Sequence, residues 1–137
     1  DGTEPEYSEA EWEILLGACE NREECADAAK SVRVSDYGYK LVDKKIVFYG
    51  ATDESVINAI HAFTEKVVNK CDNETFYTYK MDYMYEASYE IDSVLLNGAS
   101  IYEYGIVYPN KGVLYEGKEA ERLAQAITDK TGYVLTV

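Results

Sequence analysis

The residues of this chain able to do chemistry are three cysteines, one histidine, 26 acids and a dense run of tyrosines. That run, FYTYKMDYMYEASYE at 76–90, places Tyr77, Tyr79, Tyr83, Tyr85 and Tyr89 on one parity, with Met81 and Ala87 in the gaps. The other parity (Thr78, Lys80, Asp82, Met84, Glu86, Ser88, Glu90) is almost wholly polar. Alternation with period two over this length predicts a half-buried β-strand. Its aromatic face has three candidate targets: the protein's own core, another copy of the chain, or a sugar.

Cys19, Cys25 and Cys71 make an odd count. They read either as buried free thiols or as one disulfide in an oxidising compartment. The disulfide is the expectation, with Cys25–Cys71 and Cys19–Cys25 both open as pairings. Asn73-Glu74-Thr75 matches a glycosylation sequon, a tripeptide common by chance. His61 is alone, on the flank of a helical stripe, and reads as a partly buried structural residue rather than a ligand or base.

Catalytic motifs are missing. The sequence holds no GxGxxG or GxxxxGK[ST] phosphate loop, no CxxC pair, no HExxH and no EF-hand loop. Carboxylate pairs occur, but so many acids supply pairs by chance. The reading is therefore not an enzyme, with no cofactor and no metal site specified.

At 137 residues, 47% hydrophobic and 28% charged, the composition is that of one globular domain. A net charge of −13 argues against nucleic acid and against anionic membrane surfaces. No apolar run approaches the roughly 20 residues of a membrane span, so insertion is not expected. The start, DGTEPEYSEAEWE, lacks an initiator Met and reads as a mature product or an excised piece whose ends something holds.

The elements that position these residues follow from pattern. WEILLGA (12–18) reads as a buried strand, and NREECADAAKSV as a short helix with Asn21 as N-cap. YGYKLVDKKIVFYG is a hairpin of strands 37–42 and 45–50 turning at Asp43-Lys44. TDESVINAIHAFTEKVVNKC is a helix capped by Thr52 or Asp53, with Val56, Ile57, Ile60, Phe63, Val67 and Val68 as its apolar stripe. No Gly, Pro or Asn interrupts 76–96, and a turn falls at Asn97-Gly98. SIYEYGIVYP is a strand, NKGVLYEG a loop and KEAERLAQAITDKTG a helix. That helix turns Ala120, Leu123, Ala124 and Ile127 inward and stops at Gly132. YVLTV is a last strand. The class is α+β: about three helices against a mainly antiparallel sheet.

NGASIYEYGIVYP and AERLAQAITDKTGYVLTV resemble the first half of the small α/β domain that precedes the catalytic barrel in alpha-glucuronidases and beta-hexosaminidases. Similar modules recur in large secreted proteins of Gram-positive gut bacteria. EILLG, the hairpin and SVINAIHAFTEKV resemble that domain's second half. The order is reversed: 11–70 carries the second half, 71–92 is the tyrosine-rich connector, and 93–137 carries the first half. The glycine-rich start of the family's last helix is replaced by TDESVINAI. The resemblance implies an accessory, non-catalytic module, extracellular or on the cell surface, permuted within one chain or split between neighbouring chains. Its partners would be the chain itself, head to tail, or adjacent repeats; a carbohydrate-binding or spacer role with glycans is the alternative. Fifteen residues from Phe76 would reach about 50 Å as a strand, against a domain radius of gyration of about 14 Å. Such a strand must bend or project onto a neighbour.

Overall fold

The computed structural model describes residues 9–30, 32–70, 82–109 and 114–137. Strand β1 (Glu13–Leu16) leads to helix α1 (Glu23–Ala29), strands β2 (Tyr37–Val42) and β3 (Lys45–Gly50), and helix α2 (Asp53–Lys66) with a 3-10 turn at Val68–Lys70. Then come β4 (Tyr83–Tyr85), the ribbon β5 (Leu95–Leu96) and β6 (Ala99–Ser100), a 3-10 turn at Ile101–Glu103, and helix α3 (Leu114–Thr131). The larger sheet runs β1-β3-β2-β4, with β1 parallel to β3 and the other pairs antiparallel. The class is α+β, as expected.

The hairpin has the bounds its pattern predicts, and Asp43 turns it at φ 52, a left-handed conformation that Asp tolerates better than most residues. β3 reads as a continuous apolar run because helices cover both of its faces. On one face Val47 and Tyr49 pack with Leu15 and the α1 residues Cys25 and Ala28. On the other, Phe48 packs with Tyr39 and the α2 residues Ala59 and Ala62. Phe63 stands edge-on to both Tyr39 and Phe48, at 5.1 and 5.2 Å. Gly38 permits this packing: a Cβ there would lie 2.5 Å from the Tyr49 hydroxyl.

Several expectations need correction. β1 is buried on one face only: Leu15 is inside while Ile14 and Leu16 are exposed, because α1 covers one side and α2 does not reach the edge strand's other side. Asn21 is not the N-cap of α1; it adopts φ 58, and Arg22 holds the cap position without a side-chain capping bond. Thr52 does cap α2, accepting from the Ser55 N–H at 3.1 Å. The α2 contact face is centred on the small residues Ala59 and Ala62, which let the helix approach the sheet and leave Ile57, Val68 and His61 exposed.

The tyrosine strand is shorter than its alternation suggests. β4 pairs Tyr85 with Tyr37 and Tyr83 with Tyr39. β2 begins at Tyr37, so the ladder has no further partner, and the chain beyond is captured by Asp36, which accepts the Ala87 N–H at 2.9 Å. Tyr77 and Tyr79 lie outside the described residues, as do Cys71, Asn73 and the first eight positions.

In the C-terminal half, Asn97 and Gly98 both take positive φ, 51 and 81, in the tight turn of β5 and β6. The expected strand from Ser100 becomes a 3-10 turn and then an extended segment outside both sheets; the expected strand 133–137 also joins neither. A single backbone bond, Ile106 N–H to Thr136 O at 2.8 Å, links them. α3 begins at Leu114, inside the expected loop, and stops at Gly132 (φ 77), whose N–H returns to Thr128 O. Ala120 and Ala124 are buried and Leu123 on their flank is exposed.

Candidate interaction surface

Two clusters flank β1. On the α1 side, Glu13 accepts two guanidinium bonds from Arg22, both at 2.9 Å, and the Ala10 N–H at 2.9 Å. The Arg22 bonds, followed by the Ala10 amide, pull its pKa down to about 2. Lys45, 7% exposed, sits between Glu24 at 3.0 Å, Glu13 at 3.5 Å and Glu9. Hydrogen bonds to Glu9 and Glu24 raise its pKa. A carboxylate held ionised this firmly cannot serve as a general acid near neutrality. The cluster welds β1, β3 and α1 together, and no metal-binding group of His, Cys, Asp or Glu occurs among the described residues.

On the opposite side, β1 presents Trp12 (69% exposed), Ile14 (68% exposed) and Leu16. Ile14 neighbours Ile46, which in turn pairs with Leu41 across the hairpin. Trp12, Ile14, Leu41 and Ile46, with Glu13, Asp43 and Lys44, line an apolar cleft of about 450 Å³. Lys44 closes the rim, its ammonium 5.0 Å over the Trp12 ring and paired to Glu11. Soluble proteins seldom leave a contiguous apolar patch of this kind without a use for it. The WEILLGA pattern contained the strand but not its one-sided burial, so sequence reasoning missed this surface.

Of the five candidate tyrosines, the three among the described residues, Tyr83, Tyr85 and Tyr89, contact their own chain. Tyr85 stacks on Tyr37 at 4.9 Å, and Tyr83 on Tyr39 at 5.6 Å beneath the Lys66 ammonium. Tyr89 donates to Asp36 at 3.0 Å and accepts the Ser35 N–H at 2.9 Å. Burial, and then the Asp36 carboxylate, raise its pKa. Cys19 and Cys25 are free thiols in one apolar cluster. Burial pushes the Cys25 thiol up.

Among the described residues no helix is long and apolar enough to cross a membrane. No family model, curated protein or solved structure matches the chain.

Proposed function

We propose that the chain is a non-catalytic structural module of the extracellular or cell-surface milieu that associates with itself head to tail. One observation carries this reading: two unlike apolar surfaces stand exposed on the same chain. The first is the Trp12, Ile14, Leu16 and Leu41 surface of the sheet; the second, in the C-terminal half, includes Val107, Tyr108, Val134 and Val137. Unlike surfaces that fit each other make a heterologous contact, which propagates instead of closing. The reversed order of the two family-like halves, and sequence motifs that specify no chemistry, agree with it.

Sedimentation velocity over a wide concentration range tests this. Growth of the weight-average mass with concentration is expected, and a strict monomer at the highest concentration sinks the reading. Because the chain carries a net charge of −13, added salt should strengthen apolar association by screening repulsion between copies.

A second reading rests on Trp12, an exposed ring under the Lys44 ammonium in a cleft that Asp43 also lines, a surface suited to stacking on a sugar. It is the only tryptophan, so its fluorescence reports the cleft directly. A saturable change with a soluble oligosaccharide, and no change of mass with protein concentration, would replace self-association by glycan binding.

A further inference from the structure

We infer that the contact between copies is a strand addition, in which the extended segment Tyr104–Tyr108 of one chain pairs with the free edge of β1 in another. The inference rests on the self-association proposed above and names the surfaces that would meet.

The acceptor is read from backbone directions. Gly17 N–H donates to Phe48 O at 2.8 Å. Because N–H directions alternate along a strand, Leu15 also faces β3, while Ile14 and Leu16 face away. Among the described residues no strand lies on that side, and Leu16 O there takes only the Cys19 thiol, at 3.6 Å. An open edge beside exposed apolar side chains is a template for pairing, a hazard that proteins usually blunt with charge, proline or a cover. Trp12, Ile14 and Leu16 do none of this.

The donor mirrors it. Ile106 N–H is spent on Thr136 O, so the polar groups of Gly105 and Val107 face the other way. Tyr104 has extended backbone, φ −93 and ψ 138, and its hydroxyl is anchored on Leu96 O at 2.7 Å. Val107 is 94% exposed, touching almost nothing of its own chain. The stretch Tyr104–Tyr108 carries no charge, which suits an apolar edge in a molecule whose copies otherwise repel. Alternate side chains give such a ladder its fit, with Val107 suited to the cleft beside Trp12 and Ile14.

Two variants of the whole chain test it by sedimentation. Ile14→Pro removes one outward N–H and spares the bonds to β3. Val107→Asp charges a side chain that contributes nothing to its own fold. Each is expected to keep the wild-type circular dichroism and to associate about tenfold more weakly or worse, for loss of an edge bond or of one buried valine. Mixed in equal amounts, the two should form a species of two chains and nothing longer, since each retains one working surface. If the wild type associates and Val107→Asp associates equally well, strand addition is wrong and self-association stands. If the wild type is monomeric, the underlying reading fails and this one with it. An unfolded Ile14→Pro leaves the decision to Val107→Asp, mixed with Ile14→Lys as the acceptor-blocked partner.

Discussion

The buried carboxylate of Asp36 accepts the hydroxyl of Tyr89 at 3.0 Å, joining residues 53 apart in sequence. The same oxygen takes the Ala87 N–H, and the other takes the Arg33 N–H at 3.3 Å. Arg33 stacks its guanidinium 4.3 Å from the Tyr89 ring and donates to Asp92 O and Thr131 O. This loop, 33–36, is where the sheet half and the α3 half are tied.

Tyr89→Phe removes the hydroxyl and leaves Asp36 one bond short in a buried site. A hydrogen bond to a charged group contributes about 1.5–3 kcal/mol, and a loss of that size is expected in urea unfolding. Amide exchange should quicken at Ile91 and Val34, whose N–H groups bond Lys130 O and Gly132 O across the junction. Exchange that changes evenly through the sheet instead would mean the tie is not local.

Gly132 and Gly98 form a matched pair, with φ 77 and 81. A Cβ on Gly98 meets nothing, whereas one on Gly132 lies 2.5 Å from Tyr89 Cδ1. Gly98→Ala should therefore lose only the backbone term, about 1–2 kcal/mol. Gly132→Ala should lose distinctly more, since the ring that must move carries the Asp36 bond. Equal melting temperatures for the two variants would contradict the close packing of Tyr89 on Gly132.

Glu13 predicts a pH dependence. Its pKa falls from 4.5 to about 2 on folding, first through Arg22 and then through the Ala10 amide. A depressed carboxylate gives stability that is present above the unfolded value and lost as pH falls through the folded one. The stability difference between wild type and Glu13→Gln should thus be full near neutrality and shrink between about pH 4.5 and about pH 2. Urea midpoints measured down this range check it; a gap independent of pH would show that the shift is not linked to folding.

What was legible in the sequence was what local pattern decides. The hairpin 37–50, Thr52 as cap, the Asn97-Gly98 turn and the Gly132 stop each depend on residues within one turn of chain. What failed depended on partners distant in sequence. The tyrosine alternation continues past Tyr85, but pairing stops there because β2 begins at Tyr37, a fact absent from residues 86–90. WEILLGA carries large apolar residues on both parities, and only the placement of α1 decides that Leu15 is covered and Ile14 is not. Residues 104–108 and YVLTV have strand composition yet join neither sheet among the described residues. Strand-like segments without a sheet are what a contact between copies would use.

The cysteines give the last prediction. Cys25 is buried among Leu15, Ala28, Val47 and Tyr49, with Cys19 against the same cluster. Only the thiolate attacks a disulfide reagent, and burial raises the Cys25 pKa, lowering its thiolate fraction at neutral pH. In a Cys71→Ser background, Cys25 should resist an aromatic disulfide reagent until the chain is unfolded. The half-buried Cys19, whose thiol donates to Leu16 O, should react slowly in the native state. Intact mass measured without reductant should equal that of the dithiol. A mass lower by two hydrogens would instead establish a Cys19–Cys25 disulfide, and native labelling of both residues would show that the α1 side of the core opens far more readily than its packing indicates.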